Sequence, residues 1–215
     1  MGLFGKKEPC PICGGEVKGM GNVKISGGKI LCRSCGDKVV MQKDVRKNAD
    51  VDFIKEHLAH RENDAKLAAE MTLTHNFNFN NSLKVGVDTE KQLVSIEYDD
   101  WNSRNKPIVL HYSEIVGYEL YRQNKKVDDD TKSGETFANT MTSVLGEAMN
   151  TSASNNDYIT LKLKTTSKYW PQMDIILMLP NKLEHYGYKN NMSDIGNLFK
   201  CIVRGEEYVL KVKEN

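Results

Sequence analysis

Four of the five cysteines fall into two pairs, Cys10-Pro11-Ile12-Cys13 and Cys32-Arg33-Ser34-Cys35, separated by the eighteen residues from Gly14 to Leu31. Two residues inside each pair allow both thiolates to face one ion, and a spacer of ~15–20 residues is usual for a four-cysteine site. A glycine follows each pair (Gly14, Gly36). A turn at such a position can adopt positive φ and aim backbone N–H groups at sulfur. The pattern predicts one structural zinc ion held by Cys10, Cys13, Cys32 and Cys35. With four protein ligands no position stays open for water or substrate. A redox dithiol is the competing use of Cys-X-X-Cys, but two glycine-flanked pairs at this spacing fit a ribbon better.

The spacer reads as short strands, with Glu16–Lys18 and Val23–Ile25 forming a hairpin. Lys29–Leu31 follows the Gly27-Gly28 turn and leads into the second pair. So small a module cannot bury enough apolar surface by itself and needs a metal staple.

Charge narrows the function classes. The chain is nearly neutral at +1, while residues 1–50 carry ten Lys/Arg against five acids. Four thiolates on a dication remove about two of those positive charges locally. What remains is mildly basic and is not the footprint of a nucleic-acid coat. The spacer between the pairs has no aromatic residue on which a base could stack. The longest apolar run, Ile175–Leu179, is strand-sized and far short of the ~20 residues a bilayer needs. No signal-peptide-length apolar stretch follows Met1, and Lys6 stands where a myristoylation signal wants Ser or Thr. A cytoplasmic setting is expected, where clustered cysteines favour metal over disulfides.

Beyond the second pair, residues 36–47 should finish the ribbon as a short basic tail. Asp50 is placed as the N-cap of a helix running from Val51 to about Met71, with Val51, Ile54 and Leu58 as a thin apolar stripe. His57 and His60 on this helix are expected to be solvated surface residues. From about Leu73 the pattern changes to strands: Leu83–Val87 and Leu93–Tyr98 around an Asp88–Gln92 turn, Ile108–Tyr112 and Ile115–Tyr121 around a Ser113-Glu114 corner, then Tyr158–Lys164 and Met173–Leu179. Ser193-Asp194 is expected to cap a closing helix striped with Ile195, Leu198, Phe199 and Ile202. An insertion at about 128–156 carries Phe137, Met141, Val144, Leu145, Ala148 and Met149 at helical spacing. That stripe either packs on its own sheet or docks a partner, including a second copy of the chain. The expected class is α+β: a ribbon over residues 1–47, a connecting helix over 48–72, and an antiparallel β domain over 73–215.

Five stretches carry a resemblance to known families. Met1–Lys7, the run Cys10–Glu16 and the run Gly28–Cys35, followed by Phe53-Ile54-Lys55-Glu56-His57-Leu58, resemble a zinc-ribbon domain of unknown function at the N-terminus of bacterial and phage proteins. The run Ile108–Leu120 resembles bacterial pleckstrin-homology-like domains. The resemblance implies a curved antiparallel sheet closed by a C-terminal helix, serving as a platform for proteins or lipids. The Asp88–Gln92 loop lacks the basic cluster that a lipid headgroup would need.

No catalytic constellation emerges. His75, His111 and His185 are scattered, Cys201 lies near the stripe of the last helix as a core thiol, and phosphate-loop, nucleophile-elbow, dinucleotide and zincin motifs are missing. The expected function is a non-catalytic, zinc-stabilised interaction module that binds another protein, with Tyr118, Tyr121, Tyr169, Tyr186 and Tyr188 as exposed candidates for its surface. The alternatives are nucleic-acid binding through the basic N-terminus and a phage protein that sequesters a host factor.

Overall fold

The computed structural model describes residues 8–18, 20–79, 83–99, 106–122, 125–126, 158–178 and 185–208. The insertion stripe from Phe137 to Met149 lies outside the described residues.

The four-cysteine segment, called the ribbon below, is built on a ladder of two residue pairs. Strands β1 (Val23–Lys24) and β2 (Ile30–Leu31) pair antiparallel, Val23 opposite Leu31 and Lys24 opposite Ile30. The turn between them passes through Ser26–Gly28, where Gly27 and Gly28 both take positive φ. The expected hairpin partner, Glu16–Lys18, is not a strand; Val17 instead drops its side chain into the small core with Ile25 and Leu31. Short helices α1 (Arg33–Gly36) and α2 (Lys43–Asn48) complete the N-terminal part.

Helix α3 (Val51–Glu70) starts where the sequence places it, with the Asp50 carboxylate accepting from the Phe53 amide at 2.8 Å. Its buried face differs from the expected stripe. Ile54 is joined by His57, Arg61 and Asp64, all at most 2% exposed. Spacings of three, four and three residues put these four on one side of the helix. The surface reading of His57 is therefore overturned: the ribbon tail packs on one end of that face and the strand layer on the other. Tyr169, expected to be exposed, is also buried, wedged between Phe53 and His57 with ring centroids 5.2 Å and 4.7 Å away.

The other described strands form two antiparallel sheets. One is the meander β3 (His75–Phe79), β4 (Leu83–Asp88), β5 (Leu93–Tyr98) and β6 (Ile108–His111). The expected turn between β4 and β5 is held by Asp88, whose carboxylate accepts from the Lys91 and Thr72 amides at 2.9 Å each. Those bonds, the Lys91 amide foremost, keep its carboxyl below the usual carboxylate range. The second sheet contains β7 (Ile115–Arg122), β8 (Lys125–Lys126), β9 (Tyr158–Thr165) and β10 (Gln172–Met178), in the order β10-β9-β7-β8. The chain crosses between sheets at the predicted corner, a 3₁₀ turn over Tyr112–Glu114. There the Glu114 carboxylate accepts from the His111 amide at 2.8 Å and the Glu114 carbonyl from the Thr166 amide at 2.9 Å. A second tie is Tyr98, whose hydroxyl donates to the Ile176 carbonyl (2.8 Å) and accepts from the Ile176 amide (3.0 Å).

Helix α4 (His185–Arg204) begins eight residues before the Ser193-Asp194 cap expected for it. Its predicted stripe is correct, since Ile195, Leu198, Phe199 and Ile202 are all buried, and the helix packs against β7 of one sheet and β3 of the other. One buried cluster runs from the ribbon (Val17, Leu31, Val40) through Ile54 and Trp170 to Phe79, Ile96 and Phe199. No described helix is long and apolar enough to cross a membrane.

Candidate metal centre

Two loops of different construction bring the four cysteines together. After the first pair the chain turns back sharply: the Gly14 amide donates to the Cys10 carbonyl and the Cys10 amide to the Gly15 carbonyl, both at 2.8 Å. Gly14 takes φ +70°, as the sequence suggested. The second loop is the first turn of α1. The Cys35 and Gly36 amides donate to the Cys32 carbonyl at 3.1 and 2.8 Å. Gly36 does not need positive φ; it is there for space. A Cβ at this position would lie 2.6 Å from Val23 Cγ2 and 3.2 Å from Val23 Cβ, and the β-branched valine has little rotamer freedom with which to retreat.

The four sulfurs all lie within 4.8 Å of one another, and no other such group of ligating side chains occurs among the described residues. Cys13 Sγ and Cys32 Sγ are 3.6 Å apart. A disulfide would bring them to about 2.05 Å, whereas a tetrahedron of ~2.3 Å metal–thiolate bonds has edges of ~3.8 Å. The donor set therefore fits one tetrahedral, thiolate-binding metal ion. Cys10, Cys32 and Cys35 are buried, while Cys13 closes the outer side.

The surroundings favour thiolates at some positions and resist them at others. The Ser34 hydroxyl lies 3.2 Å from Cys32 Sγ and, with the Cys35 amide, pulls that thiol down to about 6. Burial works against the Cys10 thiolate, but the amides of Cys32, Cys13 and Ile12 outweigh it and lower its pKa. Burial and the neighbouring sulfurs push Cys35 up. Four clustered thiolates repel one another, and a bound dication removes that conflict. Ser34 was not singled out in the sequence, although a hydroxyl two residues after a cysteine is a readable signal.

The centre is fastened to the rest of the molecule through Val39–Gln42. The Trp170 indole N–H donates to the Val40 carbonyl at 3.1 Å, the Val40 amide to His57 Nε2 at 3.1 Å, and the Gln42 amide to the Tyr169 carbonyl at 3.1 Å. Because His57 Nε2 accepts, its proton sits on Nδ1, which is buried and has no partner. Burial foremost, with the nearby charges of Arg61 and His60, depresses the His57 pKa to about 3. An unfolded chain binds this proton below pH ~6.5. Between that pH and about 3 the unfolded state holds a proton that the folded state refuses, so stability falls as the solution is acidified. Lowering the pH from 7 to 5 should cost about 2 kcal/mol through this group alone. Urea unfolding of the chain with its metal site filled and of His57→Gln at both pH values checks this, because effects at the cysteines are common to the two. The wild type should lose the extra increment; equal losses would refute the assignment.

Several cations of the ribbon are matched by acids. Lys18 pairs with Glu16 (2.6 Å), Lys29 with Glu8 (2.7 Å), Arg33 with Asp37 (3.8 Å) and Lys47 with Asp44 (3.4 Å). His60 Nε2 stands 3.6 Å from Asp64 Oδ1. Cys201 is half-buried, with its thiol pushed up chiefly by burial.

A family model described as a domain of unknown function (DUF4428) matches residues 8–57, which take in all four cysteines and the first turns of α3. No curated protein and no solved structure matches the chain.

Proposed function

We propose that the chain is a non-catalytic module, stabilised by one structural zinc ion on Cys10, Cys13, Cys32 and Cys35, that binds another protein in the cytoplasm. The observation that carries this reading is the closed donor set: four sulfurs within 4.8 Å use every position of a tetrahedral ion and leave none for a substrate. Zinc is the ion of choice because four thiolates in tetrahedral array suit its softness and geometry. On this reading the two sheets and α4 act as a pleckstrin-homology-like platform, and zinc holds the ribbon against it.

Support for a binding surface comes from the junction that the ion stiffens. A groove of about 440 Å³ runs between the ribbon tail (Val39, Met41, Lys43) and β10 (Gln172, Asp174). Strand β10 ends its sheet among the described residues. Ile176 turns its amide and carbonyl outward onto Tyr98, and the two-residue alternation of an antiparallel strand turns those of Asp174 outward as well. Cations (Lys43, Arg46) and acids (Asp37, Asp174) both line the groove. An outward-facing strand edge beside mixed charge suits an extended peptide added as a further strand. The matched ion pairs on the ribbon weigh against the nucleic-acid alternative.

The test is retention of a protein partner by the immobilised, zinc-loaded chain beside Asp174→Pro, which removes one outward donor at a position where an edge strand tolerates proline. A partner held by the wild type and released by the variant is expected. A chain that holds no protein, yet shifts DNA at low salt and loses it as ionic strength rises, would overturn the reading in favour of phosphate binding.

A further inference from the structure

A second cleft lies at the C-terminal end of α4, away from the cysteines. It measures about 610 Å³, and its lining includes His75, Glu90, Tyr112, Glu206, Glu207 and Tyr208. Among the described residues that line it, Glu90, Glu206 and Glu207 are the carboxylates, and none is a lysine or arginine. Burial lowers the His75 pKa and so favours its neutral form.

The helix terminus adds to the same sign. Gly205 takes φ +66° and ends α4, with its amide on the Ile202 carbonyl (3.2 Å) and the Glu206 amide on the Cys201 carbonyl (2.9 Å). The negative end of the helix dipole therefore faces the cleft, which Ile202 and Gly205 help to line. The floor is aromatic. Tyr208, only 9% exposed, stacks edge-on against His75 at 5.1 Å between centroids. The hydroxyls of Tyr208 and Tyr112 are both buried without a hydrogen-bond partner. Burial pushes both phenol pKa values up, so each hydroxyl stays neutral. An orphaned buried hydroxyl is costly in a chain that has no use for it, and two occur in this one cleft.

We propose that this cleft binds an organic ammonium group, with the aromatic faces and phenol oxygens of Tyr112 and Tyr208 holding the cation and Glu90, Glu206 and Glu207 balancing its charge. The chemistry is that of cation–π recognition reinforced by carboxylates. A bare metal ion fits less well, because the only cluster with metal-ligand spacing among the described residues is the cysteine set. The proposal does not depend on the partner-binding reading or on the zinc site.

The test is calorimetric titration of the zinc-loaded full chain with spermidine, and in parallel with a lysine-bearing peptide, at about 0.15 M salt. Saturable one-site binding is expected. Spermidine alone would mark a free amine as the source, and the peptide alone a protein side chain. The surface double variant Glu206→Gln/Glu207→Gln, which leaves the core untouched, should weaken binding about tenfold. Tyr208→Phe should move two observables in opposite directions, with weaker binding and a higher melting temperature, because it removes an unpartnered hydroxyl. No saturable heat with either probe, or an affinity unchanged in both variants, would overturn the proposal. So would a lower melting temperature for Tyr208→Phe.

Discussion

Purified under reducing conditions, the chain should carry one zinc ion, and Cys32→Ser should carry none. The variant replaces the thiol whose pKa is pulled down to about 6 by Ser34 and the Cys35 amide with a hydroxyl that does not ionise at neutral pH. Little else holds the N-terminal loops. The β1–β2 ladder is two residues per strand, and the buried side chains of the ribbon are few. In small zinc modules the apparent binding free energy, about 10–16 kcal/mol at neutral pH, is largely folding free energy. The loss should therefore show as disorder of the ribbon, with amide exchange across residues 10–36 rising to unprotected rates. The effect should also reach Trp170, since the Val40 carbonyl that its indole holds belongs to the ribbon tail; its fluorescence should shift toward that of a hydrated indole. Addition of a strong chelator to the wild type should reproduce both changes. A Cys32→Ser chain that keeps the metal, or a metal-free wild type with full amide protection, would refute a structural role.

The second large effect is expected at Arg61 and Asp64. Both side chains are at most 3% exposed, with Arg61 Nη1 donating to Asp64 Oδ2 at 2.7 Å. The guanidinium also reaches across to the strand layer, donating to the Pro107 carbonyl at 2.9 Å and to the Lys106 carbonyl. Burial pulls the two partners toward neutrality, lowering the Arg61 pKa and raising that of Asp64, and the pair opposes burial from both sides. Asp64→Leu should cost about 3–5 kcal/mol, because it leaves a buried guanidinium without its counter-ion. Arg61→Met/Asp64→Leu removes both charges and should recover part of the loss. Recovery is incomplete, since two carbonyls lose their donor at about 1–3 kcal/mol for each group left unsatisfied. Urea midpoints at pH 7 should rank wild type above the double variant and the double above Asp64→Leu. An Asp64→Leu chain as stable as the wild type would mean that the pair is solvated.

These two sites differ in how far the sequence announced them. Cysteine chemistry is local and spacing-limited, so the pairing of Cys10, Cys13, Cys32 and Cys35 could be read directly from intervals of two and eighteen residues. The Asp50 cap, the Asp88 turn and the corner at Glu114 were legible for a similar reason: each is a side chain satisfying backbone groups within a few residues of itself. The polar face of α3 was not legible. By periodicity alone, His57, Arg61 and Asp64 belong to a charged, solvated helix, because their burial depends on partners as distant in sequence as Lys106, Pro107 and Tyr169. Tyr169 misled for the same reason, as an aromatic residue in a polar stretch that only the packing of α3 encloses.

The four-cysteine cluster, the positions of its turns, most of the strands and the buried stripe of the last helix are legible in local sequence. Each follows from covalent spacing or from a repeat of two or about 3.6 residues. Long-range packing set which polar groups lie inside. It placed His57 against the ribbon tail, the Arg61–Asp64 pair beneath the strand layer, and Tyr112 beside Tyr208 in an acidic cleft. Burial of a polar side chain depends on whatever long-range neighbour removes its water, and no local pattern encodes that neighbour.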